Sequence, residues 1–139
     1  MGSIFRTADA AGVGNIYLCG ITPTPPHEKI SKTALGAENY IPWEYHAKAW
    51  RLLRKLKVES KKLQVVGLEQ TKSSQNIFKY KFLKNKKIAL ILGNEVKGLS
   101  PRILKYCDKK ISIPMYGRKE SLNVAVAAGI AVYTILQSE

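Results

Sequence analysis

Acidic residues are scarce in this chain: ten Asp and Glu stand against 23 Lys and Arg in 139 residues, a formal net charge of +13. A field of that sign draws polyanions to the surface, which makes nucleic acid the leading partner class. Cysteine and histidine are rarer still, at two each. Cys19 and Cys107 form no CxxC pair or dense disulfide framework, and neither His27 nor His46 stands at a zinc-ligand spacing from a cysteine, so a metal site would need more ligands. Cys19, in the apolar run IYLC, and Cys107, at the end of an expected helix, read as buried reduced thiols, which suits the cytoplasm. The longest apolar stretch, Asn123 to Leu136, opens with an amide and falls short of a bilayer span, so no membrane segment is expected. No signal peptide pattern begins at Met1, and Arg6 stands where a myristoylation motif wants Ser or Thr. The GxGxxG fingerprint, the Walker loop, HExxH and a Ser/His/Asp constellation are all missing, which removes nicotinamide, nucleotide-triphosphate and zinc-hydrolase readings.

What is present alternates. Helix formers from Ser3 to Ala11 stop at Gly12 and Gly14, and NIYLC (Asn15 to Cys19) reads as a strand. Thr22 to Pro26 (TPTPP) is an extended loop, because each proline fixes φ and biases the preceding residue away from helix. A short helix over Lys29 to Leu35 ends at Gly36, a brief strand covers Tyr40 to Pro42, and a basic helix runs from Glu44 to Lys57 with Trp50, Leu53 and Leu56 inward. LQVVGL (Leu63 to Leu68) and IALIL (Ile88 to Leu92) are strands, the second apolar throughout as if covered on both faces. Lys72 to Lys87, with Phe78, Tyr80 and Phe82 amid six lysines, is a loop or an edge segment. Ser100 and Pro101 open a helix, Lys109 to Met115 is a strand, and Ser121 to Leu136 is the last helix. This order predicts an α/β fold in one domain, with a mainly parallel sheet and helices on both faces.

Two junctions carry the polar residues that an apolar pattern does not require. In LILGNEVKGLS (Leu90 to Ser100) a strand ends at Gly93, where an open parallel sheet places ligands beyond its carboxyl edge. Gly93 and Gly98 allow a close backbone approach, and Asn94 and Glu95 between them present hydrogen-bonding groups. An ordinary strand-to-helix turn accounts for the same pattern equally well. In ISIPMYGRKESLNVAVAAGIAVY (Ile111 to Tyr133), Pro114 ends the strand, Gly117 turns the chain, and Glu120, Ser121 and Asn123 crowd a helix start whose free N–H groups suit a polar ligand. A plain cap by Ser121 is the simpler account of this junction taken alone. Ala125, Ala127, Ala128, Gly129 and Ala131 make a slim helix fit for a tight core or subunit contact.

Taken together these segments resemble the SpoU (TrmH-like) RNA ribose 2'-O-methyltransferases of the SPOUT superfamily. GSIFRTADAAG (Gly2 to Gly12), LILGNEVKGLS and IPMYGRKESLNVAVAAGIAVY match the family's three motifs in order, and KISKTALGA with IPWEYH extends the likeness to nearly the whole chain. The resemblance implies an α/β domain with a trefoil knot in its carboxyl-terminal part and a homodimer joined through its first and last helices. It implies S-adenosyl-L-methionine as cofactor, held around Leu92, Gly93, Asn94, Glu95, Gly98, Ile113, Met115, Ser121, Leu122 and Asn123. It also assigns catalysis to Arg6, Glu95, Ser121 and Asn123, and no metal.

The expected activity is therefore S-adenosylmethionine-dependent methylation of a ribose 2'-hydroxyl in tRNA or rRNA. Arg6, Lys29 and Lys32 are expected to meet the RNA phosphates, where contacts give affinity without sequence readout. A guanidinium scarcely ever deprotonates, so Arg6 serves better by holding a phosphate and the developing alkoxide than as a base. The family pattern also has an Asn two residues before the first-motif glycine and an opening strand, and this sequence begins at Met1, just before Gly2. One methyltransferase domain over residues 1–139 is expected, lacking that strand and the upstream part of the first motif. The rival expectation is a non-catalytic RNA-binding or assembly protein on the same scaffold.

Overall fold

The computed structural model describes residues 2–83, 86–93 and 97–138, which form two compact units, residues 1–49 and 50–139. In the first, helix α1 (Gly2–Ala11) packs on helix α2 (Glu28–Ala34), and strand β1 (Ile16–Cys19) pairs in parallel with β2 (Trp43–His46). Phe5, Leu18, Ile30, Ala34 and Ala37 form its core, with Ile16 and Trp43 packed against them. Gly2 is buried where α1 meets α2, and a Cβ there would overlap the Thr33 hydroxyl and the Ile30 carbonyl. His27 caps α2, its Nδ1 accepting from the Lys29 N–H at 3.1 Å. The helix ends as expected before Gly36, with Leu35 taking a left-handed φ of 53°.

One expectation here is overturned. Tyr40 to Pro42 is not the strand, and the basic helix does not begin at Glu44: Trp43–His46 is the strand, and α3 covers Ala49–Glu59. Ile16 pairs with Trp43 and Leu18 with Tyr45, so a ladder to a distant strand outweighs the helical reading of WEYH.

The second unit holds a four-stranded sheet in the order β4-β6-β3-β5, every pair parallel. Its strands are β3 (Leu63–Leu68), β4 (Gln75–Asn76), β5 (Lys87–Leu92) and β6 (Lys109–Ser112). β3 is central and the most deeply covered, with Val65 and Val66 fully buried. β5 stands at the end of the order and is half-buried on both faces, every residue from Ile88 to Leu92 being partly covered. Val66, Ile77, Phe82, Ile111, Ile113 and Ala131 make the core, on which Ile88 and Leu90 of β5 also pack.

The lysine-rich segment contains a short strand at the sheet edge, β4, followed by two core anchors, Ile77 and Phe82. Tyr80 sets its ring edge-on to Phe82 at 4.7 Å and accepts from the Gln64 amide at 3.0 Å. Helix α4 (Pro101–Leu104) is capped as expected, Ser100 Oγ accepting from the Ile103 N–H at 3.2 Å. β6 ends at Ser112, short of Met115, where the Ile77 N–H takes the Ser112 carbonyl at 2.9 Å. The last helix, α5 (Val124–Gln137), starts three residues later than expected and is capped by Asn123, not Ser121. The two cysteines are half-buried rather than buried and both are free thiols. Burial pushes each thiol up, reinforced at Cys107 by the neighbouring Asp108 carboxylate and partly offset by Lys57 and Lys110.

Asp108 ties α3 to the central strand. Its Oδ1 accepts from Lys57 Nζ at 2.6 Å and its Oδ2 from the Val65 N–H at 2.7 Å, while its own N–H donates to the Val65 carbonyl at 2.8 Å. Burial raises the carboxyl, but the Lys57 and Val65 hydrogen bonds and the charges of Lys57 and Lys86 outweigh it and hold it below the ordinary value. A carboxylate lowered in the folded state contributes stability above its unfolded value and loses it as pH falls through the folded one. Melting temperature is expected to fall below about pH 4, the ordinary carboxylate range, with a shallower fall in Asp108→Asn. Asp108→Ala leaves the fully buried Val65 without a side-chain acceptor for its N–H, and is expected to cost about 1–3 kcal/mol in denaturant unfolding.

Candidate ligand cleft at the carboxyl ends of the parallel strands

A cleft of about 320 Å³ opens in the second unit where β3, β5 and β6 end and α5 begins. Leu68 ends β3 and Glu69 and Gln70 follow it, Leu92 and Gly93 close β5, Ile113 follows β6, and Ser121 and Leu122 precede α5. A parallel sheet presents this edge because each crossover returns the chain to the opposite end, leaving the turns beyond the carboxyl ends free to hold a ligand. The size falls at the lower end of the range for small-molecule sites, and the lining mixes apolar walls with a few polar groups.

The glycines are required by the backbone packing. A Cβ on Gly93 would lie 2.5 Å from the Gly98 carbonyl carbon and 2.7 Å from the Leu99 nitrogen. Gly98 takes a φ of +66°, and a Cβ there would also lie 2.6 Å from Glu69 Oε2. That same oxygen accepts from the Leu99 N–H at 2.6 Å, while Oε1 accepts from the Gln70 N–H at 3.2 Å. The Gln70 amide in turn donates to the Ile113 carbonyl at 2.7 Å. Glu69 and Gln70 thus join the turns after β3, β5 and β6 around one cleft.

Of the residues expected at the cofactor, Leu92, Gly93, Gly98, Ile113, Ser121 and Leu122 line the cleft together. Met115 and Asn123 are not among its lining residues. Asn123 Oδ1 accepts from the Ala125 N–H at 2.9 Å, so the capping role expected of Ser121 belongs to Asn123 and Ser121 contributes to the wall instead. Asn94 and Glu95 lie outside the described residues. Arg6, Lys29 and Lys32 are exposed on α1 and α2 of the first unit.

Glu69 and Gln70 were not singled out in the sequence. Their signal is the polar pair directly after LQVVGL, at the carboxyl end of the strand that proves central. Among the described residues no three His, Cys, Asp or Glu side chains gather as metal ligands would, and no helix is long and apolar enough to cross a membrane.

Comparison with known proteins places this geometry. Residues 1–133 match the family model described as the SpoU rRNA Methylase family. The tRNA (guanosine(18)-2'-O)-methyltransferase of Aquifex aeolicus is 36% identical over 132 residues, covering 94% of this chain and 60% of that protein. The 23S rRNA (guanosine(2553)-2'-O)-methyltransferase RlmP of Bacillus subtilis is 35% identical over 133 residues, covering 96% of this chain and 51% of that one. The chain thus spans about half to three fifths of the length of these relatives. Among solved structures, the AdoMet-bound rRNA methyltransferase from Sinorhizobium meliloti superposes with a TM-score of 0.89 at 30% identity, over 98% of this chain and 50% of that one. The A. aeolicus TrmH/SpoU tRNA modifying enzyme gives 0.82 at 32% identity, over 99% of this chain and 67% of that one. With α/β architecture, parallel strand pairs and a family match over nearly its full length, the chain belongs to the SpoU rRNA Methylase family.

Proposed function

We propose that this chain transfers a methyl group from S-adenosylmethionine to a ribose 2'-hydroxyl of tRNA or rRNA. The observation that carries this reading is the cleft at the carboxyl ends of β3, β5 and β6, lined by six of the residues expected at the cofactor. The residues fit that cofactor chemically: Leu68, Leu92, Ile113 and Leu122 offer apolar walls, Glu69, Gln70 and Ser121 offer polar groups, and Gly93 and Gly98 line the cleft with backbone. Met115, Asn123, Asn94 and Glu95 belong to the set by their motifs. When bound, S-adenosylmethionine supplies an electrophilic methyl group. The relatives named as tRNA and 23S rRNA guanosine 2'-O-methyltransferases, and the net charge of +13, support RNA as substrate.

Arg6 keeps its charge throughout, so its part is to hold phosphate and stabilise the forming alkoxide, with Lys29 and Lys32 adding phosphate contacts. The trefoil knot belongs to this reading, supported by likeness to structures of SpoU methyltransferases. So does a homodimer. Along α5, Val126, Tyr133 and Leu136 are 53%, 43% and 40% exposed, and with Leu122 and Gly129 they repeat at spacings of four and three, the period of a helix-packing seam. Two free thiols and an RNA substrate fit the cytoplasm.

Calorimetry is expected to detect S-adenosylmethionine binding, and Gly93→Ala to weaken it about fivefold or more, since forcing a methyl into packed backbone costs about 1–3 kcal/mol. Unchanged affinity in that variant would count against the cleft as the cofactor site. Arg6→Ala is expected to lower methyl transfer to bulk tRNA or rRNA about a hundredfold or more while leaving cofactor affinity alone. Cofactor binding with no transfer by the unaltered chain would favour a non-catalytic RNA-binding protein. In light scattering, a Val126→Glu/Tyr133→Glu double variant is expected to show half the mass of the unaltered chain; equal masses for both would refute the α5 interface.

A further inference from the structure

We propose that Arg51, Arg54 and Arg102, gathered around the Trp50 ring, form a phosphate-binding cluster that docks an RNA strand apart from the cofactor cleft. It rests on the reading above that RNA is the substrate, and it assigns that contact to residues outside the three family motifs.

The guanidinium carbon of Arg102, on α4, lies 3.8 Å from the Trp50 ring centroid, and those of Arg51 and Arg54, on α3, lie 5.2 and 5.7 Å from it. Arg51 and Arg54 are three residues apart on one helix and share a face, while Leu52 and Leu53 turn into the interior. All three arginines are exposed, Trp50 is half-buried, and none of the four lines the cleft. Two lysines of α3 have carboxylate partners: Lys55 has Glu59 at 3.9 Å and Lys57 has Asp108 at 2.6 Å. None of the three arginines has a carboxylate within ion-pair distance among the described residues. Like charges have therefore been brought together from two helices around an aromatic ring, with no ion-pair partner among the described residues.

Such an arrangement suits an external polyanion. Arginine forks match phosphate oxygens bidentately, and a guanidinium is weakly hydrated, so it gives up its water readily. Cation–π contact with the indole holds three long side chains in place and lowers the rotamer entropy lost when a strand binds. Measured through the ring, no two guanidinium carbons are farther apart than about 11 Å, so all three can face one short stretch of strand.

The test is binding of unmodified bulk tRNA to the full chain, followed by fluorescence anisotropy across a salt series, with S-adenosylmethionine affinity measured on the same samples. Removing one neutralised phosphate lowers the slope of log affinity against log salt by about 0.7–0.9. The triple variant Arg51→Gln/Arg54→Gln/Arg102→Gln is expected to lower it by about 2–3, with cofactor affinity unchanged. Trp50→Leu, which keeps every charge, is expected to weaken binding several-fold with a nearly unchanged slope. Lys55→Gln, which removes a cation already paired with Glu59, is expected to leave both close to the unaltered values. A triple variant with the unaltered slope and affinity would overturn the proposal and leave the methyltransferase reading standing. Loss of cofactor binding alongside RNA binding would overturn it too, as would failure of the unaltered chain to bind tRNA. The cofactor affinity reports separately on the cleft.

Discussion

The candidate site depends on one steric constraint: the backbone at Gly93 passes so close to Gly98 and Leu99 that no side chain fits between them. A Cβ at Gly93 would push the segments apart, and one at Gly98, a residue that also needs a positive φ, would meet the Glu69 carboxylate. Glu69 closes the arrangement from the side by accepting the Leu99 N–H, and Gln70 carries the connection on to the Ile113 carbonyl. Three turns that are remote in sequence are thereby held around one space, which is what a polar ligand with apolar parts needs.

The strands deliver those turns. Because β3, β5 and β6 run parallel, their carboxyl ends lie at one edge of the sheet, and the polar residues that follow each strand converge there. Asp108, the residue before β6, anchors the sheet on its other side by accepting from Val65 in the central strand and from Lys57 of α3. At the start of α5 the polar duties divide, Asn123 satisfying the helix N-terminus and Ser121 facing the cleft.

Electrostatics divide in a similar way. Three carboxylates of the second unit are used locally: Asp108 on a lysine and a backbone amide, Glu59 on a lysine, Glu69 on two backbone amides. Around Trp50 positive charge is collected rather than dispersed, three guanidinium groups standing within about 6 Å of one ring.

The sequence by itself determined the element order, the two glycine-bearing junctions and the family to which they belong. Those properties follow from local periodicity, turn residues and motif spacing, and folding moved the bounds of several elements and added β4. Tertiary structure decided what depends on a distant partner. WEYH became a strand because Ile16 and Leu18 offered it a ladder, Ile77 and Phe82 drew the lysine-rich segment into the core, and β3 rather than β5 became the covered strand because β6 pairs on its far side. The capping role passed from Ser121 to Asn123 because α5 begins only at Val124. Glu69 and Gln70 acquired a role only when β3 proved central, and the three arginines only when α4 brought Arg102 over a ring on α3. No local pattern encodes these outcomes, because each is a contact between residues far apart in the chain.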